Sequence, residues 1–80
     1  MRMKSKTETA LIKILRWPRK KNLDDIKTIL EEDNITPWGG SLFYPDFVTV
    51  PFNPEKKLYL HKKIQKLSVA GFFVKKVQKA

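Results

Sequence analysis

The stretch from residue 47 to residue 73, FVTVPFNPEKKLYLHKKIQKLSVAGFF, constrains the fold more than any other part of the chain. Its first six residues alternate in the way that predicts a half-buried strand. Asn53 then offers a side-chain oxygen as a helix N-cap, and Pro54 has the fixed backbone angle that suits the first helical position. Gly71 favours the left-handed conformation that ends many helices, and the apolar run after it opens another strand. The stretch therefore predicts a strand, a helix and a strand in succession.

The segment before it, residues 7–17 (TETALIKILRW), fits two structures. As a strand, its even-numbered residues from 10 to 14 would face one side of a sheet. As a helix, Ser5 and Glu8 would form a capping box. Its threonines and isoleucines favour the strand, which we predict, and Pro18 ends either element.

A second helix is predicted over residues 22–34, because Asn22 is a favourable N-cap and apolar residues recur at helical spacing after it. ITPWGG contains proline and two glycines and predicts a loop. SLFY, residues 41–44, predicts a short strand. Pro45 and Asp46 can form the turn from which the strand at residue 47 returns antiparallel.

The elements then follow as strand, helix, strand, strand, helix, strand. This order predicts an α+β domain over residues 7–80, preceded by a flexible basic N-terminus of residues 1–6. The arrangement is a ferredoxin-like or split βαβ sandwich, in which two helices cover one face of a four-stranded antiparallel sheet. If residues 7–17 are a helix instead, a winged-helix-like arrangement becomes the alternative.

By strand alternation, the face left open by the helices would carry aromatic rings and lysines, and such a surface usually marks a partner site. The residues placed on this face are Leu11, Lys13, Leu15, Trp17, Phe47, Thr49, Phe73 and Lys75. The element order resembles that of the RNA-recognition-motif family, which stacks bases on aromatic side chains of an open sheet. The third strand of that family reads close to K/R-G-F/Y-G/A-F-V-x-F/Y. Here YPDFVTVPF keeps the FVxV/F part and lacks the glycine and the basic residue. The resemblance lies in the pattern and not in the signature.

The charge of the chain favours a polyanionic partner. The formal net charge is +9 in 80 residues, with a sequence pI near 10.0. Residues 22–34 hold five carboxylates against one lysine, a net of −4, which leaves +13 for the rest. A molecule polarised in this way would present one side to nucleic acid.

We therefore expect a small basic nucleic-acid-binding protein that prefers RNA or single-stranded DNA. Aromatic faces would stack bases while cations track the phosphates. The alternatives are a small regulatory or inhibitory module that binds a protein or forms a homodimer through its exposed apolar face, and a winged-helix DNA-binding regulator. The residues expected to bind nucleic acid are Lys13, Arg16, Trp17, Arg19, Lys20, Lys21, Phe47, Phe73 and Lys75.

Catalysis and cofactors have little support in the sequence. The chain has one histidine, His61, and no cysteine, so we expect no metal site, no cofactor and no enzyme activity. A metal-independent ribonuclease that uses Tyr44, Tyr59 and His61 is the enzymatic alternative. We expect no membrane span and a cytoplasmic location, because no apolar run approaches the roughly 20 residues that a span requires.

Overall fold

The computed structural model describes residues 8–53 and 57–79, which form a four-stranded antiparallel sheet and two helices. This confirms the predicted α+β class and the predicted succession of elements. The strands lie in the order β2-β3-β1-β4. Residues 1–6, predicted to be flexible, and Pro54, predicted to begin a helix, lie outside the described residues. The elements are β1 (Glu8–Arg16), α1 (Leu23–Leu30), β2 (Thr36–Trp38), β3 (Phe47–Phe52), α2 (Lys57–Val69) and β4 (Phe73–Lys79).

The segment that fitted two structures is a strand, so the winged-helix-like alternative is wrong. β1 lies between β3 and β4 and pairs antiparallel with both. Glu8, which would have completed a helical capping box, is instead paired with Phe52 of β3. Ala10, Ile12 and Ile14 are buried on one side of the strand. This burial of alternate residues between two neighbouring strands outweighs the local helical signal.

The second strand is not where the sequence predicted it. β2 is Thr36–Trp38, within the stretch expected to be a loop, and residues 41–44 lie in the connection to β3. Proline is tolerated here because β2 is at the edge of the sheet. Gly39 and Gly40 then turn the chain with φ values of 71° and 66°. The backbone N–H of Asp46 closes the connection by donating to the Trp38 carbonyl at 3.1 Å.

Helix α1 begins as the sequence predicted and ends earlier. The Asn22 side-chain oxygen accepts a hydrogen bond from the Asp24 N–H at 3.0 Å, and the Asp25 carboxylate accepts one from the Asn22 N–H at 2.7 Å. The helix stops at Leu30 because Glu31 adopts the left-handed conformation, with φ 55°. Such an ending normally uses glycine, since a side chain makes it costly.

Helix α2 ends at Val69, and Gly71 is the left-handed stop that the sequence predicted. Gly71 has φ 104°, and its N–H donates to the Ser68 carbonyl at 3.0 Å. The next N–H, of Phe72, donates to the Leu67 carbonyl at 2.9 Å, which completes a Schellman ending. This ending directs the chain into β4 and places the Phe72 side chain in the core, where it is 1% exposed.

A single apolar core lies between the helices and one face of the sheet. Alternate residues of β1 and β3 join the apolar residues of both helices in it, so both helices cover the same face. Ile29, Ile64 and Val74 are only partly buried and lie at the margin of this core. The buried set is Ala10, Ile12, Ile14, Leu23, Ile26, Leu30, Ile35, Val48, Val50, Phe52, Leu60, Leu67 and Phe72.

Candidate functional site

A row of four side chains crosses the uncovered face of the sheet, one from each strand. Trp38 of β2 is paired with Phe47 of β3, Phe47 with Lys13 of β1, and Lys13 with Lys75 of β4. Directly paired residues of antiparallel strands point to the same side of a sheet. Strands lie about 4.8 Å apart, so the row is roughly 14 Å long. We call Trp38, Phe47, Lys13 and Lys75 the cross-sheet row.

The two lysines of the cross-sheet row occupy directly paired positions of β1 and β4. Like charges in this arrangement destabilise a sheet. Glu8 is the one carboxylate residue within the described strands, and it belongs to the face that carries Ala10. The Lys13 ammonium lies 5.8 Å from the centre of the Phe47 ring, a cation–π distance. An anion bound between the two ammonium groups would relieve their repulsion.

The aromatic half of the row borders an apolar hollow. Leu11, Trp38, Phe47 and Thr49 line a cavity of about 260 Å³ on the uncovered face. Thr49 is 9% exposed, and its hydroxyl donates to the Thr36 carbonyl at 3.3 Å. That hydrogen bond uses the hydroxyl hydrogen of Thr49, so this hydroxyl is not free to donate to a ligand. The hollow is therefore suited to flat, apolar faces such as those of nucleobases.

Three of the predicted binding residues, Lys13, Phe47 and Lys75, lie together in the cross-sheet row. Trp38, which was not among the predicted binding residues, joins them and is 56% exposed. Its place on a short edge strand was hidden by the proline and glycines around it. The signal that could have found it is the spacing from Trp38 to Phe47, which pairs the two rings across a hairpin.

Trp17 does not lie on the uncovered face, which corrects the placement predicted by strand alternation. It follows the end of β1, is half-buried and packs against the core. Its ring meets those of Phe72 at 5.4 Å and Tyr44 at 5.5 Å, both edge to face. Register shifts in the pairing of β1 with β4 near Leu15 break the alternation before it reaches Trp17. Its ring is therefore engaged in packing and not presented for stacking.

The other predicted residues lie at the end of the sheet where β1 finishes. Arg16 is paired with Phe73, which is 61% exposed. Arg19 and Lys20 are exposed in the turn between β1 and α1, and Lys21 is half-buried. Arg16, Arg19, Lys20 and Lys21 therefore form a second group of cations, which follows Lys13 in the chain and is not part of the cross-sheet row.

Some of the positive charge lies on the same side of the sheet as the acidic helix α1, because helix α2 carries lysines. Lys62 and Lys66 are exposed on this helix, which packs beside the acidic α1. Lys63 is 4% exposed and donates to the Leu30 carbonyl at the end of α1, at 3.2 Å. Its ammonium also lies 4.6 Å from the centre of the Tyr59 ring. Lys63 therefore joins the two helices and is not available to a ligand.

The described residues contain no cluster of metal ligands, and the three side chains of the ribonuclease alternative lie in two different elements. Within residues 8–53 and 57–79, no three His, Cys, Asp or Glu side chains are grouped as a metal site would require. Tyr44 lies in the loop before β3, whereas Tyr59 and His61 lie on α2. None of the helices in these ranges has the length and apolar character needed to cross a bilayer. No protein family, curated protein or solved structure matches the chain.

Proposed function

We propose that this protein binds single-stranded nucleic acid, RNA or DNA, across the uncovered face of its sheet. The observation that carries the proposal is the cross-sheet row, which sets two aromatic residues beside two directly paired lysines. Trp38 and Phe47 would stack on bases, and Lys13 and Lys75 would contact phosphates. The helical layer, with the acidic α1, lies on the other side of the sheet and would stay away from the ligand.

A single strand fits this face better than a duplex does. Stacking on Trp38 and Phe47 requires bases whose flat faces are accessible, and in a duplex those faces are already stacked. Both α-helices are engaged in covering the sheet, so neither is displayed alone for a major groove. The hollow beside Trp38 is apolar, which favours contact without sequence-specific hydrogen bonds.

The first experiment is a salt titration of binding to labelled oligo-dT and oligo-U. We expect affinity to fall steeply with salt and duplex DNA of the same length to bind more weakly. Salt dependence is measured as the slope of the logarithm of the binding constant against the logarithm of the salt concentration. Replacing Lys13 and Lys75 by glutamine should make this slope shallower by about 0.7 for each phosphate that these lysines neutralise. The matched control replaces Lys62 and Lys66 on α2. Binding that is absent at low salt, or equal effects of the two lysine pairs, would refute the proposal.

The second experiment tests the rings. Trp38→Leu should weaken single-strand binding roughly 5- to 150-fold, the range for removing one base stack. Phe43→Leu is the control, because Phe43 is 61% exposed in the loop and lies outside the row. Equal affinities of the two variants would show that the row does not stack bases.

A second candidate, a homodimer or protein complex through the same face, is favoured by the apolar hollow beside Trp38. Light scattering with and without oligonucleotide separates the two. A stable dimer that Trp38→Leu dissociates, together with no oligonucleotide binding, supports this candidate over the first.

A further inference from the structure

The loop between β2 and β3 carries a second exposed apolar surface, which we call the loop tip. It consists of Leu42, Phe43 and Tyr44, which are 77%, 61% and 51% exposed. Three successive exposed apolar residues are unusual on a soluble domain and usually have a functional reason. The cross-sheet row does not account for them, because none of the three is part of a strand.

The loop tip is held in place by specific contacts on its inner side. The Phe43 carbonyl accepts a hydrogen bond from the Leu23 N–H at 2.9 Å, and the Tyr44 N–H donates to the Ser41 hydroxyl at 2.9 Å. The edge of the Tyr44 ring contacts Trp17. The loop is therefore ordered by its backbone and by one ring, while its two most exposed side chains project into solvent.

The loop tip lies beside the basic turn that joins β1 to α1. Trp17 and Leu23, which bracket this turn, both contact the loop. Arg19 and Lys20 are exposed within the turn. The carboxylates of Asp24, Asp25 and Asp46 are also close along the chain. This end of the sheet thus combines an exposed apolar tip with four cations, Arg16, Arg19, Lys20 and Lys21, against these three carboxylates.

We propose that the loop tip inserts into the surface of an anionic lipid bilayer, with the basic turn contacting the headgroups. A bilayer accepts an exposed apolar tip without a matching pocket, and its anionic headgroups attract the cations of the basic turn. Leu42, the most exposed of the three loop-tip residues, would enter the acyl region. The amphipathic Tyr44 ring would stay at headgroup level. Apolar insertion and headgroup attraction are each weak alone, and binding needs both.

The test is sedimentation of the full chain with vesicles of phosphatidylcholine, with and without phosphatidylserine. We expect binding to the phosphatidylserine vesicles that decreases with salt. Leu42→Ser with Phe43→Ser should lower the partition coefficient about tenfold or more, from the apolar area no longer buried. The control is the double variant Leu58→Ser with Val69→Ser, which replaces two apolar side chains of α2 that are 72% and 83% exposed. Circular dichroism melts check that both variants fold.

The outcomes separate this proposal from nucleic-acid binding. Unchanged vesicle binding by the loop-tip variant, or no binding of the unmodified chain to anionic vesicles, overturns it. So does a loop-tip variant that loses self-association or oligonucleotide binding instead, because the tip would then belong to a protein or nucleic-acid interface. Replacing Arg19 and Lys20 by glutamine should reduce binding only where phosphatidylserine is present. Unchanged binding of this variant to the phosphatidylserine vesicles would contradict the role of the basic turn.

Discussion

The fold should respond differently to the same substitution at two adjacent lysines of α2. Lys63 is 4% exposed and donates to the Leu30 carbonyl, whereas Lys62 is exposed. We expect Lys63→Met to destabilise the fold and to leave nucleic-acid binding unchanged. We expect Lys62→Met to leave the fold unchanged.

The size of the effect at Lys63 follows from two opposing terms. Methionine keeps most of the volume of the lysine stem, so the cavity left behind is small. The Leu30 carbonyl, one of the last of α1, loses its side-chain donor, and an unsatisfied buried acceptor costs about 1–3 kcal/mol. Removing a desolvated ammonium offsets part of this cost. The expected loss is about 1–2 kcal/mol, which lowers Tm by roughly 4–16 °C in a domain of this size.

Urea and thermal unfolding followed by circular dichroism measure this difference directly. Lys62→Met should stay within about 0.5 kcal/mol of the unmodified chain, as exposed substitutions usually do. If Lys63→Met is as stable as the parent or more stable, the desolvation of the ammonium outweighs its hydrogen bond. The account of Lys63 as a link between the helices would then be wrong.

Three further predictions concern backbone strain and the two tryptophans. Glu31→Gly should raise the free energy of unfolding, measured in urea melts, by about 0.5–1 kcal/mol, because Glu31 is left-handed with φ 55°. The control Glu32→Gly removes the same charge and should give no gain in the free energy of unfolding. Gly40→Ala should lower the free energy of unfolding by about 2 kcal/mol or more, because a Cβ at this position would lie 2.6 Å from a backbone oxygen. An unchanged melt of this variant would contradict the prediction. Oligonucleotide should quench fluorescence in Trp17→Phe, where Trp38 remains, and much less in Trp38→Phe; the reverse result would place the ligand elsewhere.

Most of the fold was predictable because its signals are local and agree with one another. The N-cap at Asn22, the left-handed stop at Gly71 and the alternation of β1 each determine structure within a few residues. The exception is β2. Its residues were predicted to be a loop from their proline and glycines, and the neighbouring Leu-Phe-Tyr run was predicted to be the strand. Pairing with β3 decided between them, and that information is non-local.

The candidate site was predictable only in part, because it depends on register. Alternation placed Lys13, Phe47 and Lys75 on one face, and these three lie together. It failed for Trp17, where register shifts near Leu15 end the alternation. It also could not show that Lys63 is buried, since that burial depends on how α2 packs against α1. Charge counted along the chain therefore overstated the number of lysines available to a ligand.

The residues of the cross-sheet row lower the stability of the fold, and this cost matters more in a small domain. A chain of 80 residues buries limited apolar surface and has little stability to spare. A half-buried ring at Phe47, an exposed one at Trp38 and two facing lysines each lower that stability or leave apolar surface in water. A ligand that covers the rings and neutralises the lysines would remove all of these penalties at once, and it would stabilise the folded state by mass action. A single nucleic-acid strand has both properties because it carries bases and phosphates at every step, whereas an apolar protein partner would leave the two lysines unneutralised.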